Sequence, residues 1–192
     1  MKKSKYKFAT WPIACLLLFV SACSHKTTSS GPGDIPVRRA FPLDKAGSTL
    51  TLDFWLREGD ANVSRRFMVA VEHPHSFRSA TRLIEQTRPA IRVEISRIDG
   101  EIQTPIDVFE PMSINGSCGE VNAKLSTPIL SRPELNLYPF VGDAIREGSV
   151  VGAFCADRYG HYVAQVQTLF DVDWLKAVPT EIVIGQMYNT GK

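Results

Sequence analysis

The stretch 48-STLTLDFWLR-57 decides the fold. Along it Leu50, Leu52, Phe54 and Leu56 fall on one face and Thr49, Thr51, Asp53 and Trp55 on the other, the period of two that a half-buried strand requires. Phe67, Val69 and Val71 repeat the pattern in 65-RRFMVAVEH-73, and Ile91, Val93 and Ile95 in 90-AIRVEISRI-98. Further strands are predicted in 105-PIDVFE-110, 119-GEVNAKLS-126, 150-VVGAFCAD-157, 161-HYVAQVQTL-169 and 180-TEIVIGQMY-188. The third and fourth of these runs meet at Arg158-Tyr159-Gly160, where a tight turn is expected. Only 76-SFRSATRLIEQ-86 has helical spacing, with Phe77, Ala80, Leu83 and Ile84 on one face and Ser76 placed to cap the start. A shorter turn is expected at 171-DVDWLKAV-178. Short strands punctuated by Gly and Pro, without a βαβ rhythm, predict a mainly β chain: an antiparallel β-sandwich with one short helix. Prolines 105, 128, 133 and 139 suit strand starts, edges and loops.

Upstream, Lys2, Lys3, Lys5 and Lys7 precede an apolar run from Trp11 to Val20 that breaks off at Ser21-Ala22-Cys23. This is the layout of a signal peptide over residues 1–22, because a membrane span needs roughly 20 apolar residues and this run is shorter. An ordinary secretory signal whose cleavage site happens to hold a cysteine would look alike up to that point. Residues 24–35, SHKTTSSGPGDI, are polar and rich in Ser, Thr, Gly and Pro, so residues 23–35 are expected to form a flexible tether. Its root-mean-square span would be roughly 20 Å. Residues 36–192 remain as one domain of ordinary size.

Removing the leader's four lysines, with no acid among residues 1–22, turns the whole chain's charge of +2 into −2. With neither a basic net charge nor a Lys/Arg cluster, nucleic-acid binding is not expected. Cys15 departs with the leader, and with Cys23 at the cleavage point the folded part keeps Cys118 and Cys155. In an oxidising compartment that pair predicts a disulfide. The competing expectation is a nucleophilic Cys118, set among glycines in 115-NGSCGE-120 with His161 elsewhere in the chain.

His73-Pro74-His75 places two imidazoles at i and i+2, but zinc needs at least a third ligand and Glu72 points the other way on a strand. The tripeptide reads as a strand-to-helix corner, and neither a metal nor a cofactor is expected. No G-x-S-x-G elbow, H-E-x-x-H pair, Walker loop or dinucleotide fingerprint occurs. The acid pairs Glu58/Asp60 and Asp171/Asp173 lie in turn-like segments where solvation is the default. The sequence therefore predicts a chain that is not an enzyme. Trp55, Phe77 and Tyr159 are the candidate partner-binding anchors, each with a core-packing role as the competing assignment.

Val20-Ser21-Ala22-Cys23 resembles the lipobox of bacterial lipoproteins. That resemblance implies lipidation of Cys23, three acyl chains, attachment to the membrane through that anchor and, with serine at position 24, an outer-membrane location facing the periplasm. The segments 41-FPLDKAGSTLTLDFWLREGDANVSRRFMVAVE-72 and 160-GHYVAQVQTLFDVDWLKAVPTEIVIGQ-186 resemble uncharacterised bacterial β-sandwich lipoproteins, some of which look like immunity partners of type VI secretion effectors. The resemblance implies a periplasmic protein that binds a cognate effector, such as a membrane-attacking lipase, and neutralises it. A cell-envelope module for a small ligand or glycan is the alternative.

Overall fold

The alternation at residues 48–57 becomes strand β3 (Thr49–Leu56), whose Leu50, Leu52, Phe54 and Leu56 are buried while Thr51, Asp53 and Trp55 stay half-covered on the opposite face. In the computed structural model residues 33–87, 89–110, 118, 134–136, 138–140 and 146–187 are described. The expected strand at 119–126 and the prolines at 128 and 133 lie outside them, as do residues 1–32.

Two sheets pack face to face. In the first, sheet A, β3 pairs antiparallel with β11 (Gly160–Thr168), which pairs antiparallel with β5 (Ala90–Asp99). Beyond β5 lie β6 (Ile102–Ile106) and, at the other end of the same edge, β8 (Glu134–Asn136). The two-residue β1 (Gly33–Asp34) lies parallel to β3, opposite Phe54 and Trp55. Sheet B has the order β2 (Val37–Ala40), β12 (Glu181–Gln186), β4 (Phe67–Pro74), β10 (Arg146–Phe154), β7 (Val108–Phe109), with β9 (Tyr138–Phe140) also on β10. This is the predicted β-sandwich.

The inward residues of both sheets make one core: Leu52, Phe54, Val93, Ile95 and Val166 from sheet A meet Phe67, Val69, Val71, Ile182 and Ile184 from sheet B. An aromatic layer fills it near the Trp55 end of β3. Phe54 stacks on Tyr162 at 5.7 Å, and Phe154 meets both Phe54 and Phe67, at 6.3 and 5.3 Å between ring centroids. Such pairs add about 0.5–1.5 kcal/mol each beyond the area they bury. At the other end helix α1 (Arg78–Thr87) carries the chain from β4 to β5, from one sheet to the other, and closes the core with Ala80 and Ile84. The helix begins two residues after Ser76, which lies inside a short 3-10 turn (His75–Phe77) rather than at a cap. A 3-10 turn also forms at Asp173–Leu175, inside the predicted 171–178 segment.

Three expectations need correction. Residues 105–110 are not one strand: β6 belongs to sheet A and β7 to sheet B, and the chain changes sheets at Asp107. Pro105 has no N–H to give, which an edge strand tolerates. β10 and β11 do not form a hairpin either, since β10 is bonded within sheet B and β11 between β3 and β5, so residues 155–159 cross between the sheets. Third, the folded part starts by Gly33, inside the segment expected to be tether, because Gly33 and Asp34 pair with β3.

Sheet B is covered on both sides. Met68, Ala70 and Val183 point away from sheet A and are still buried. On that outward side Phe109, Ala153, Cys118 and Cys155 form a second small cluster, and the sulfurs of Cys118 and Cys155 are bonded, with Cα atoms 5.6 Å apart. Gly148 of β10 has no room for a side chain: a Cβ there would stand 2.8 Å from the Val71 carbonyl oxygen.

Candidate functional site

The outward face of sheet A is the face of this sandwich that side chains leave partly open, and β3 sets its chemistry. Register places Trp55 directly opposite His161 and Asp53 opposite Val163. The indole and imidazole stack 5.1 Å apart at 21°. His161 Nε2 lies 3.1 Å from Asp53 Oδ1; a carboxylate only accepts, so the imidazole proton sits on Nε2 and the ring is held in place. Beyond Trp55, the Arg57 guanidinium stands 5.8 Å over the indole and is paired at 3.0 Å with Asp34 of β1. A cation over an indole contributes about 0.5–1 kcal/mol where water reaches it. The result is an aromatic pair flanked by one carboxylate and one guanidinium held in ion pairs, with Arg57 exposed and Trp55, His161 and Asp53 partly covered on the outward face of sheet A.

Tyr159 belongs to the same end. It directly precedes Gly160, the partner of Leu56, and its hydroxyl donates to the Ala61 carbonyl at 3.2 Å. Phe77 does not join them: it lies past the far end of β4, where β4 pairs with Arg146 and Glu147. Of the three candidate anchors, two share one end of the molecule and the third sits at the other.

Under this end lies a charged cluster. Arg97, 8 % exposed on the inward side of β5, donates to Asp157 and, at 2.8 Å, to Asp99; Arg158 reaches Asp99 at 2.7 Å. Tyr162 donates to the Arg158 carbonyl at 2.7 Å, with Asp157 Oδ1 3.2 Å away. The hydrogen bond that Arg97 gives to Asp157, then the one it gives to Asp99, holds it firmly protonated. The Arg97 hydrogen bond keeps the Asp99 carboxyl below its ordinary range. Burial pushes the Asp157 carboxyl up, but the hydrogen bond and charge of Arg97 outweigh it and the net shift is downward. Burial, with the Asp157 charge beside it, pushes the Tyr162 hydroxyl up to about 12. These groups fasten the crossover of residues 155–159 to β5.

The two histidines of the expected corner do not converge. His73 is 1 % exposed and both its nitrogens are engaged within the chain, Nδ1 with the Pro74 carbonyl at 3.1 Å and Nε2 with the Thr81 hydroxyl at 3.0 Å. Thr81 in turn donates to Glu147 at 2.6 Å, and His75 Nδ1 stands 3.1 Å from the other oxygen of that carboxylate. This network ties α1 to β10. His161 lies at the opposite end, against Trp55. Among the described residues no group of three or more His, Cys, Asp or Glu side chains is placed to hold a metal ion. With its sulfur bonded to Cys155, Cys118 has no thiol to act as a nucleophile in this state.

The chain is thus a disulfide-linked β-sandwich protein with an aromatic and ionic patch on its open sheet. No family model matches it, and no curated protein matches it. It is similar to a crystal structure of a protein from Sulfurospirillum deleyianum, at 8 % identity and a TM-score of 0.47, over 80 % of this chain and 98 % of that one. The patch had a partial signal in the sequence. Trp55 stands out on the polar side of β3, whereas nothing local links it to His161, or Arg97 to Asp157.

Proposed function

We propose that this protein is a non-enzymatic lipoprotein, anchored through acylated Cys23 in the outer membrane and facing the periplasm, that uses the outward face of sheet A to bind and neutralise an antibacterial effector delivered by type VI secretion. A membrane-attacking lipase is the target that suits an inhibitor held at the bilayer. The observation that supports a binding role best is Trp55. It is a large aromatic side chain left partly open on the outward face of sheet A, with His161, Asp53 and Arg57 already held around it by stacking and ion pairs. Tryptophan and arginine dominate the centres of protein interfaces, and side chains fixed beforehand lose less freedom on binding. Tethering raises the local concentration of inhibitor at the surface where such a toxin acts.

The test sequences the genes beside this one, expresses a secreted effector encoded there in the periplasm with and without the lipoprotein, and measures survival together with binding of the purified proteins. Protection with nanomolar affinity, about −12 kcal/mol, is expected, and Trp55→Ala should weaken both. Absence of protection and of binding, with both proteins folded and correctly located, would remove the immunity role. The second reading, a glycan or small-ligand module, draws on the same tryptophan with its flanking Asp and Arg, a composition that also suits stacking on a sugar. Envelope glycans that shift Trp55 fluorescence without any protein partner would favour it.

A further inference from the structure

We infer that the end of the sandwich carrying Trp55, Tyr159 and Ile102 rests on the surface of a zwitterionic phospholipid bilayer. The inference rests on the Cys23 anchor proposed above and adds an orientation that the anchor alone does not supply.

Three observations carry it. The first is where the chain enters the fold. Gly33 and Asp34 pair in parallel with Phe54 and Trp55, and Asp34 holds Arg57, so the described chain begins within a few residues of the Trp55 end and runs toward it. Gly33 stands ten residues after Cys23. A chain of that length reaches at most about 35 Å when extended and about 17 Å on average when flexible. The nine residues of β11 run about 27 Å from this end of the sheet to the opposite one. An anchor on so short a lead keeps the Trp55 end nearer the bilayer than the far end.

The second observation is the apolar content of that end. Asp99 pairs with Ile102 across the β5–β6 turn, and Ile98 faces His161, whose other neighbour is Trp55, so this turn lies at the same end of the sheet as Trp55 and Tyr159. Ile102 is 67 % exposed and Tyr159 39 % exposed; among the described residues the one other large apolar side chain in that state is Phe170, at the far end. Aromatic side chains with a polar tip gather at the headgroup level of membranes, where the ring is half dehydrated and the tip stays wet.

The third is charge. Arg57 and Arg158, each with more than half of its side chain exposed, are already matched by Asp34 and Asp99. Glu58, Asp60 and Glu101 add exposed acid nearby. With Arg57 and Arg158 matched, the exposed Arg65 of this end is outnumbered by Glu58, Asp60 and Glu101, which gives no excess of cation for an anionic bilayer, whereas a zwitterionic headgroup layer accepts charges of both signs. In this pose sheet A stands on the membrane with Trp55 at its foot, and its outward face is presented along the bilayer.

The acylated mature chain contains two tryptophans, Trp55 at the foot and Trp174 at the opposite end, which makes the test internal. The full lipidated protein is placed in phosphatidylcholine vesicles whose acyl chains carry bromine near the headgroup, a quencher of indole fluorescence. Trp174→Phe, reporting Trp55 alone, should lose most of its emission, and Trp55→Phe, reporting Trp174 alone, should lose little. Adding Ile102→Asn and Tyr159→Asn to the Trp174→Phe chain should restore much of the emission while flotation with the vesicles is unchanged. A protein that floats yet shows equal losses from the two tryptophans, or none from Trp55, overturns the orientation and leaves the anchor standing. Failure of the acylated chain to float overturns the anchor, and the orientation with it.

Discussion

Sheets A and B face the same core but differ on their other sides. In sheet A, β3 follows strict alternation, burying four residues and leaving Thr51, Asp53 and Trp55 to meet whatever approaches from outside. Sheet B has β4 buried from Phe67 through His73 without a break, with Ala70 and Val183 covered on the side away from the core. Part of that cover is fastened by the Cys118–Cys155 bond. Sheet B is therefore buried on both faces, whereas β3 of sheet A is buried on one face and partly open on the other.

The sharpest way to break this comparison is to place a charge on the outward side of each sheet. Ala70→Asp buries an unpaired carboxylate in sheet B, and at least about 4 kcal/mol should be lost, enough to unfold a marginal domain. Thr51→Asp, outward on sheet A opposite Gln165, should change stability by no more than about 0.5 kcal/mol. Urea denaturation of the two variants decides it, and equal costs would mean that sheet A is covered as well.

Neighbouring residues on β3 give the next contrast. Phe54→Ala removes a fully buried ring that contacts Tyr162 and Phe154, and about 3–5 kcal/mol should go with it. Trp55→Ala should cost about 1 kcal/mol, the loss of its stack on His161 and of the Arg57 contact, while weakening the binding proposed for this face. A Trp55→Ala protein that melts like Phe54→Ala would make the indole a core residue.

Replacing Cys118 and Cys155 together by alanine should lower stability by about 4 kcal/mol in the chain-entropy model, and often less in practice. Because the bond lies on the outward side of sheet B, amide exchange should accelerate first in β10 and β7 and leave β3 and β11 protected. Uniform acceleration would argue that the two sheets open as one unit.

The smallest effect is the pH dependence of the Arg97 cluster. Asp99 and Asp157 titrate lower in the fold than in the unfolded chain. Their contribution is therefore complete above the unfolded carboxylate value of about 3.9 and is lost as pH falls through the lower folded values. Tyr162 runs the other way: raised to about 12, it contributes fully below the ordinary value near 10, and that contribution is lost as pH rises through about 12. Arg97→Met should flatten the acid limb of a stability–pH curve. Tyr162→Phe should flatten the alkaline limb. An unchanged curve in either variant would detach the cluster from stability.

What the sequence made legible was local. Alternation identified β3, β4, β5, β10, β11 and β12, and helical spacing identified α1 to within two residues, because those patterns are written in adjacent side chains. β4 was read as one-faced from Phe67, Val69 and Val71, since Met68 and Ala70 between them are themselves apolar and only the covering layer decides whether they are buried. The two-residue β1 and four-residue β2 are too short to show a period. The site was half legible. Trp55 broke its own strand's pattern, but His161 reaches Asp53 across 108 positions and Arg97 reaches Asp157 across 60, distances at which composition carries no signal. The hairpin expected at Arg158-Tyr159-Gly160 failed for the same reason, as a turn signal does not say which sheet the next strand joins.

The strand order has one more consequence, for the order of events while the chain is being made. β11 lies between β3 and β5, and β12 lies between β2 and β4, so in each sheet a strand from the last third of the sequence is inserted between two earlier ones. Neither sheet can close on the first 159 residues, however long they wait. A nascent or threading chain is thus kept from locking into a compact shape until almost all of it has arrived. Folding then depends on contacts of long sequence separation and is expected to be slow, on the scale of milliseconds to seconds.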